Sequence, residues 1–548
     1  MNRTRQMEGP RTMAFAAWET SRPSDAGSSL RSGWRVFVLC LSFANLCFLR
    51  SWSELQDDAV AFFNRKAPAW ANLTATLLDV LALAVILWVP VMLVVRSGKP
   101  NWMRALKWGI LAGFVAPLNT IRLDSEVVRL SGEVLNYRFG RLALGIGGIA
   151  LGAFLLVRWE KLSARVTSVV LTLLLPLLPL TVAGSVWHLS RRTYSSSSGT
   201  LACNPLLPAL PQKPGAPHVL WIVFDEWDQA LTFDARTATL QLPELARFRD
   251  ESFYSGHAYP PAAHTVVSCP SLLGGKTFIK STPQGMSEML ESYDPRRPDE
   301  RLTDESTIFT EARSAGFNVG LVGWYLPYCR LFKDLTYCPG AEPNEDGPSL
   351  LGLMWNTARE EIRGLPLLGR LGITQRPPTP QESHLKSYRQ QLTEVIPAVR
   401  DPRLNFVFLH VCVPHWPPIY DAARASFSNS PGGTYLDNLA LVDRTLGEIR
   451  QTLEQARTWD STTILLTADH PLRVALWRSM HHTGLPSNVQ QSARVPFLLK
   501  MAGEKQGVDY PHAIQTVVTK DLLLAIMNGK VTTAEQVGGW LESHPPHQ

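Results

Sequence analysis

The sequence predicts an N-terminal bundle of about five transmembrane helices, followed by an α/β sandwich with a mostly parallel central sheet. Two observations lead to this fold class. The long apolar runs are concentrated before residue 188, whereas short β-rich runs alternate with amphipathic helical segments after residue 218. A chain of 548 residues is long enough to form both regions.

Apolar runs suited to membrane spans define the first region, residues 34–188. A spanning helix needs about 20 apolar residues, and tilting accommodates runs of somewhat different length. The third run is short and contains Pro117 and Asn119, so it is the weakest of the set. The five runs are Trp34–Leu49, Ala71–Val95, Trp108–Ile121, Leu142–Val157 and Val166–Trp187.

Basic residues predict the orientation of this bundle. The polar tail 1–33 and the loops 96–107 and 158–165 are rich in Arg and Lys, whereas the loops 51–70 and 122–140 mix both signs. Because basic loops stay in the cytoplasm, we expect the disordered tail inside and, after five crossings, the C-terminal region outside. The net charge of +6 arises from these segments, and no basic stripe interleaved with aromatics suggests nucleic-acid binding.

The composition also marks the boundaries of the second region. The Ser-, Pro- and Gly-rich segment 189–217 predicts a linker, 218–530 an extracytoplasmic domain, and 531–548 a C-terminal tail. Seven Cys are too few for a disulfide scaffold. Cys329 and Cys338 flank a short polar loop and would form a disulfide outside the cytoplasm, with two free thiols as the alternative.

Strands and helices alternate after residue 218. Helical spacing marks Glu305–Ala315 and Thr434–Ala456. In open α/β sheets, ligands gather at the carboxyl ends of parallel strands, where Asp225, His410 and Asp469 would fall. The predicted strands are Val219–Phe224, Asn318–Gly323, Asn405–Leu409, Thr463–Thr467 and Pro496–Lys500.

Thr265 is the candidate nucleophile. It lies at a predicted helix start, with Ser268 three residues and Pro270 five residues further on. A helix N-terminus has unpaired N–H groups and positive dipole, so it suits an attacking oxygen and the anion it captures. The spacing therefore favours an ester-transfer site at this helix.

Acids and imidazoles follow the predicted strands. Asp225 and Glu226 come after the first strand of the region, and Asp469 and His470 come after a later one. The remaining candidates are His415, His481 and His482. A mixture of carboxylate oxygen and imidazole nitrogen suits zinc or manganese, although a single His is more often structural than a ligand.

From about His218 onward the chain resembles the alkaline phosphatase/sulfatase superfamily. It is most similar to the membrane-bound branch, which contains lipid A phosphoethanolamine transferases and lipoteichoic acid synthases. Thr265, Ser268 and Pro270 match the spacing of the nucleophile motif in those transferases. Three further segments are similar to motifs of the family: His410–Tyr420, Tyr435–Asp443 and Leu465–His470.

The resemblance implies an alkaline phosphatase/sulfatase-like sandwich that binds a divalent metal. Zinc is the expected metal, with manganese, magnesium or calcium as alternatives. Glu226 would assist the first ligand, and His415 with either His481 or His482 would hold a second metal or the transferred phosphate. The implied ligands of the first metal are Asp225, Thr265, Asp469 and His470.

The implied function is that of a multi-pass phosphotransferase in a bacterial-type inner membrane, with a periplasmic catalytic domain. It would move a phospho-head group from a membrane lipid donor to an envelope glycan or lipid acceptor through a phospho-threonine at Thr265.

A membrane-tethered sulfatase-like hydrolase of sulfuric or phosphoric esters is one alternative, although Cys269-Pro270-Ser271-Leu272 does not fit the C/S-x-P-x-R signature of formylglycine enzymes. A non-catalytic membrane scaffold or sensor is another, because Pro471 stands where the family has Gly. The oligomeric state stays open.

Overall fold

The computed structural model describes residues 26–64, 67, 69–97, 99, 101–102, 109, 158–195, 203–212, 215–285, 287–304, 306–339, 349–363, 378–429, 432–479, 485 and 489–545. The chain divides into two compact units. The first comprises Met1–Ala61, Lys66–Gly199 and Asp346–Arg376. The second comprises Phe62–Arg65, Thr200–Glu345 and Pro377–Gln548.

Helices and strands have the following bounds. The α-helices are α1 (Ala26–Cys47), α2 (Leu49–Gln56), α3 (Asp58–Asn64), α4 (Ala69–Ser97), α5 (Glu160–Leu173), α6 (Leu177–Ser195), α7 (Pro243–Asp250), α8 (Thr265–Gly274), α9 (Ile308–Ser314), α10 (Tyr328–Leu331), α11 (Leu350–Arg363), α12 (Pro380–Arg400), α13 (Tyr435–Gln455), α14 (Val474–Ser479), α15 (Thr519–Met527) and α16 (Ala534–Ser543). The strands are β1 (His218–Asp225), β2 (Phe253–Tyr259), β3 (Lys280–Gln284), β4 (Glu288–Ser292), β5 (Glu300–Arg301), β6 (Val319–Val322), β7 (Phe406–Pro414), β8 (Tyr420–Asp421), β9 (Ser426–Phe427), β10 (Thr462–Ala468), β11 (Val495–Lys500), β12 (Val508–Asp509) and β13 (Ile514–Gln515).

The first unit is helical wherever its longer segments are described. α1 and α4 run antiparallel: the indole N–H of Trp88 in α4 donates to the carbonyl of Gly33 in α1 at 3.0 Å. At the other end of the pair, Trp52 of α2 packs in one cluster with Leu73, near the start of α4. A hydrogen bond at one end and apolar packing at the other therefore hold these helices side by side.

Two helices in the described part of the chain are long and apolar enough to cross a membrane, Trp70–Val94 and Ser168–Ser190. The number rises to three if Gly33–Cys47 and Leu49–Gln56, which meet at a bend of 55°, form one span. The predicted runs Ala71–Val95 and Val166–Trp187 coincide with the first two helices, and Trp34–Leu49 falls on the bent pair. The predicted runs Trp108–Ile121 and Leu142–Val157 lie outside the described residues. Five transmembrane helices are therefore not shown.

A mixed sheet forms the centre of the second unit. Its strand order is β12-β2-β11-β10-β1-β7-β6, and β13 also pairs with β2. β1 lies between β10 and β7, parallel to both, and is buried along nearly its whole length. A strand covered on both faces needs a continuous apolar run rather than an alternating one. This explains why HVLWIVFD forms the central strand.

All five predicted strands are present, and most strand pairs of the central sheet are parallel, although the sheet is mixed. β11 is antiparallel to both of its neighbours, β10 and β2. Strand direction depends on how the chain returns to the sheet, which local apolar patterning does not encode. The sequence FYSGHAY of β2 is too rich in small and polar residues to have been recognised as a strand. The parallel block β10-β1-β7-β6 matches the prediction.

Helix caps and one disulfide fix the surroundings of the sheet. Thr434 caps α13 in a capping box with Asp437, which confirms the predicted helix 434–456. α9 lies within the predicted helix 305–315. The predicted disulfide between Cys329 and Cys338 is confirmed. In the segment predicted as a linker, α6 continues to Ser195, and the described residues 203–212 form no helix or strand.

Candidate active site

The ends of two neighbouring strands and the start of one helix meet at Thr265. Thr265 is the first residue of α8, and its Oγ1 lies 3.3 Å from Nε2 of His470, just after β10. The same Nε2 atom lies 3.6 Å from Asp225 Oδ1, at the end of β1, and 3.6 Å from Asp469 Oδ2. All four side chains are buried, and Thr265 is the most exposed at 6%. The structure therefore brings together the four residues predicted as ligands of the first metal.

The imidazole of His470 is oriented by its own loop. Its Nδ1 lies 2.9 Å from the carbonyl oxygen of Pro471. A carbonyl can only accept, so Nδ1 donates to it, and Nε2 is the ring nitrogen that faces Thr265 and the two carboxylates. Metal-binding histidines are commonly held in this way through the second ring nitrogen. Pro471, which departs from the family's glycine, thus contributes its carbonyl to the site.

Two carboxylate oxygens at the centre have no hydrogen-bond partner within the described part of the chain. They are Asp225 Oδ1 and Asp469 Oδ2, and both are buried. Buried carboxylate oxygens without partners are costly, and cation binding is the usual compensation. Asp225, Asp469 and His470 form one group that could hold a metal ion. Carboxylate, imidazole and hydroxyl are donors that zinc and other divalent cations accept, so the residues present fit a divalent metal.

The other oxygen of each carboxylate is held by a defined donor. Asp225 Oδ2 accepts from the indole N–H of Trp324 at 3.0 Å. Asp469 Oδ1 accepts from the backbone N–H groups of Glu226 at 3.1 Å and of His470 at 2.8 Å. Both carboxylates are thereby fixed with one oxygen directed to the centre.

The two carboxylates differ in proton affinity. Burial, with Asp469 and Glu226 nearby, raises the pKa of Asp225 well above its usual range. Burial also acts to raise the pKa of Asp469, but His470, His410 and Thr265 nearby outweigh it and hold that pKa below its usual value. Of the two carboxyl groups, Asp225 therefore has the higher proton affinity.

His410 lies beneath the two carboxylates. Its Nε2 is 3.8 Å from Asp225 Oδ2, 3.8 Å from Asp469 Oδ2 and 3.9 Å from Cys269 Sγ, while its Nδ1 is 2.8 Å from the Tyr328 hydroxyl. Burial lowers the pKa of His410 to about 4 and raises the pKa of the Cys269 thiol well above its usual value. Both groups are therefore neutral at physiological pH, and Cys269 is buried against the imidazole of His410.

Glu226 and His415 form a second cluster around Arg473. Glu226 Oε1 accepts from the backbone N–H of Arg473 at 2.9 Å and from its Nε at 3.2 Å. The Arg473 NH2 group lies 2.9 Å from Nε2 of His415, which is itself 4.0 Å from Glu226 Oε2. Glu226 thus pairs with a cation beside the site instead of joining Asp225 at its centre.

The charges of this cluster are well defined. Burial acts to raise the pKa of Glu226, but His415 and Arg473 outweigh it and hold the pKa below its usual value. Burial, with Arg473 and His470 nearby, lowers the pKa of His415. The cluster therefore contains an ionised Glu226 paired with a charged Arg473, whose side chain is 23% exposed.

The motif on α13 positions these loops and does not enter the site. The Tyr435 hydroxyl donates to the Glu226 carbonyl at 2.7 Å, and Asn438 Nδ2 donates to the His415 carbonyl at 3.0 Å. Asp443 accepts from the backbone N–H of Leu245 at 2.7 Å. Ser268 has a similar role on α8, one turn after Thr265, where its hydroxyl donates to the carbonyl of Asp469.

The remaining predicted site residues, His481 and His482, lie outside the described residues. Residues that the sequence prediction did not assign to the site are Trp324, Tyr328 and Arg473. His410 was expected at the ligand-binding edge of the sheet, but no role was assigned to it. Trp324 follows a predicted strand by one residue, so the strand-end rule could have found it. Arg473 follows the Asp-His pair by three residues, but its contact with Glu226 spans 247 positions of sequence and has no local signal.

Comparisons with known proteins show which family the chain belongs to. No curated protein matches the chain. Among solved structures, the chain is similar to Ps i-CgsB in complex with a neocarrahexaose, at 16% identity over 61% of this chain and 78% of that one, with a TM-score of 0.39. It is also similar to a phosphonate monoester hydrolase of Agrobacterium radiobacter (15% identity, 57% and 74% covered, TM-score 0.35) and to a putative sulfatase from Bacteroides thetaiotaomicron (12% identity, 59% and 75% covered, TM-score 0.35). The sulfatase family model matches residues 217–527, more than half of the chain. The chain therefore belongs to the sulfatase family of metal-dependent enzymes.

Proposed function

We propose that this protein is a membrane-anchored, metal-dependent phosphotransferase that moves a phospho-head group from a lipid donor to an envelope glycan or lipid acceptor. One observation carries the proposal. The hydroxyl of Thr265 lies 3.3 Å from His470 Nε2, in the same buried cluster as the unpaired oxygens of Asp225 and Asp469. A hydroxyl in this position is suited to be a nucleophile. The formylglycine signature C/S-x-P-x-R, which a sulfatase nucleophile would need, does not fit Cys269-Pro270-Ser271-Leu272 in α8.

Asp225, Thr265, Asp469 and His470 would hold the metal, for which zinc is the best match to the donors. When bound, a divalent cation supplies Lewis-acid chemistry that lowers the pKa of the Thr265 hydroxyl and offsets charge on the ester oxygens. The chain's own residues position the nucleophile. α8 fixes Thr265 at its first turn, and Gly275, in a left-handed conformation at φ 68°, ends the helix.

The reaction has two displacements at phosphorus. In the first, the bond from Thr265 Oγ1 to phosphorus forms as the bond from phosphorus to the diacylglycerol oxygen breaks, and the hydroxyl proton leaves with diacylglycerol. In the second, the acceptor hydroxyl displaces Thr265 and returns a proton to it. Hydrogen-bond donors near the non-bridging oxygens would stabilise both transition states.

Arg473 is the best placed donor for these oxygens. It is charged, part-exposed and held by Glu226 next to His415, with its guanidinium at the edge of the site. The charge balance also favours a singly charged ester: Asp225, Glu226 and Asp469 carry three negative charges, whereas Arg473 and a divalent cation carry three positive ones. A phosphodiester adds one negative charge to this neutral site, and a phosphate monoester would add two.

The candidate membrane spans favour transfer between lipids over hydrolysis of soluble esters. Two apolar helices, Trp70–Val94 and Ser168–Ser190, suit a membrane anchor. A tethered domain meets a lipid donor at high effective concentration. The donor head group is expected to come from a phospholipid such as phosphatidylethanolamine.

The test uses the full-length protein in phosphatidylethanolamine-containing nanodiscs, with metal content measured on the same sample. We expect bound zinc, and diacylglycerol release that Thr265→Ala abolishes and Thr265→Ser partly retains, with unchanged folding of both variants. Release of free phosphoethanolamine without an acceptor would indicate the hydrolase alternative. Full activity of Thr265→Ala would refute the assignment of the nucleophile, and absence of bound metal with absence of turnover would indicate a scaffold.

A further inference from the structure

α11 has a stripe of apolar side chains on a different face from the one that packs against the rest of the first unit. Leu351 and Trp355 are 76% and 62% exposed, and Met354, Ala358 and Ile362 continue the same face at helical spacing. The buried residue of the helix is Leu353, at 7% exposure, which lies on another side. A soluble helix would turn its apolar stripe inward, so the outward stripe needs a partner that is not water.

The position of α11 in the fold indicates what this partner is. In sequence, α11 lies within the region 217–527 that matches the sulfatase family. In the fold, residues 346–376 belong to the first unit, together with the candidate membrane spans. α11 packs against α4, and Glu361 accepts hydrogen bonds from the backbone N–H of Ser51, at 3.1 Å, and from the Ser51 hydroxyl.

Ser51 shows which end of the helical bundle α11 contacts. It lies in α2, which follows α1 after a bend of 55° and packs against Leu73 near the start of α4. Gln56 of α2 also donates to Ser185 of α6 at 3.2 Å. The end of the bundle next to α11 therefore carries two exposed tryptophans, Trp70 at 43% and Trp187 at 62%. Tryptophans at the ends of apolar helices mark the level of the membrane interface.

We infer that α11 lies flat in the membrane interface, with Leu351 and Trp355 inserted among the lipids. With 14 residues it is about 21 Å long, too short to cross a bilayer of about 30 Å of hydrocarbon. An amphipathic helix of this kind binds the boundary between head groups and acyl chains through its apolar face. The lipid bilayer is the occupant because α11 packs against α4, a candidate membrane span whose Leu81, Val85 and Ile86 are also exposed. The inference does not depend on the reaction at Thr265.

Photocrosslinking of the full-length protein tests this inference. p-Benzoylphenylalanine replaces Trp355 in protein held in phosphatidylethanolamine and phosphatidylglycerol nanodiscs, and intact mass after irradiation reports the adduct. The matched control places p-benzoylphenylalanine at position 360. Glu360 is exposed and lies on the opposite face of the helix from Leu351. We expect a phospholipid adduct at position 355 and no such adduct at position 360.

A second position guards against a local effect of the substitution. p-Benzoylphenylalanine at Leu351, the most exposed residue of the stripe, is expected to form the same lipid adduct. Circular dichroism and the melting temperature, compared with those of the wild type, verify that each variant is folded. Equal lipid adducts at 355 and 360, absence of a lipid adduct at both 351 and 355, or an adduct with a second protein chain would each overturn the inference.

Discussion

Replacing Arg473 by Met is expected to reduce both activity and stability, for separable reasons. Arg473 donates two hydrogen bonds to Glu226 Oε1 and contacts His415 with its terminal nitrogen at 2.9 Å. Glu226 is completely buried. Arg473→Met keeps the backbone N–H but leaves the Glu226 carboxylate without its counter-ion, and it removes the cation proposed to bind the ester oxygens.

The two effects have different magnitudes. Leaving one member of a buried ion pair uncompensated costs about 3–5 kcal/mol of stability, and the retained N–H bond places this case at the lower end. A hydrogen bond between charged groups contributes about 1.5–3 kcal/mol to a transition state, so its loss lowers kcat/KM about 10- to 150-fold. Arg473→Lys keeps the charge without the planar fork and is expected to lose less activity.

The double variant Glu226→Gln with Arg473→Met separates the effects. It removes the buried charge together with its partner, so the melting temperature should return towards that of the wild type. For bis(p-nitrophenyl) phosphate, kcat/KM of the purified full-length double variant should stay about 10- to 150-fold below that of the wild type, because the charged hydrogen bond is still missing. If the double variant regains wild-type kcat/KM along with stability, Arg473 is only a counter-ion of Glu226 and the reasoning is refuted.

Three further perturbations give distinct expected outcomes. Burial raises the pKa of Asp443 from 3.8 to about 6, so the native state holds this proton more tightly and the free energy of unfolding falls as pH rises from about 4 to about 6. Asp443→Asn should therefore gain roughly 3 kcal/mol relative to wild type between pH 4 and pH 7, and thermal melts with a difference independent of pH would contradict this. Replacing Cys329 and Cys338 together by Ser opens a loop with a sequence separation of 9 and should cost about 2–3 kcal/mol in non-reducing melts; an unchanged melting temperature would argue against a stabilising bridge. Chelation should lower the melting temperature and the activity together, with recovery of both on adding zinc, and a chelator-resistant activity would exclude a metal at Asp225 and Asp469 as the source of catalysis.

The sequence predicts the centre of the site because a simple rule of parallel sheets applies there. β1 and β10 are buried runs rich in β-forming residues, so their ends are visible in the sequence, and an acid stands at the end of each. Register pairs Phe224 with Ala468, which sets Asp225 beside Asp469. Once the strands are recognised as parallel neighbours, the meeting of these carboxylates follows.

The surroundings of the site follow from tertiary structure that no local pattern encodes. Arg473 reaches Glu226 and His415 through loops, and Tyr328 reaches His410 from a short helix far away in sequence. The direction of β11 and the assignment of α11 to the helical unit likewise depend on where the chain returns. Sequence patterns identified the amphipathic and apolar segments but not which of them pack together.

Mass spectrometry of the Thr265 peptide tests whether Thr265 is the nucleophile. The full-length protein, loaded with zinc, is exposed to phosphatidylethanolamine without an acceptor and then digested. We expect a phosphoethanolamine group covalently bound to Thr265, absent from the Thr265→Ala protein and removed when an acceptor is added. Diacylglycerol release with an unmodified Thr265, or with the group attached to another residue, would contradict it.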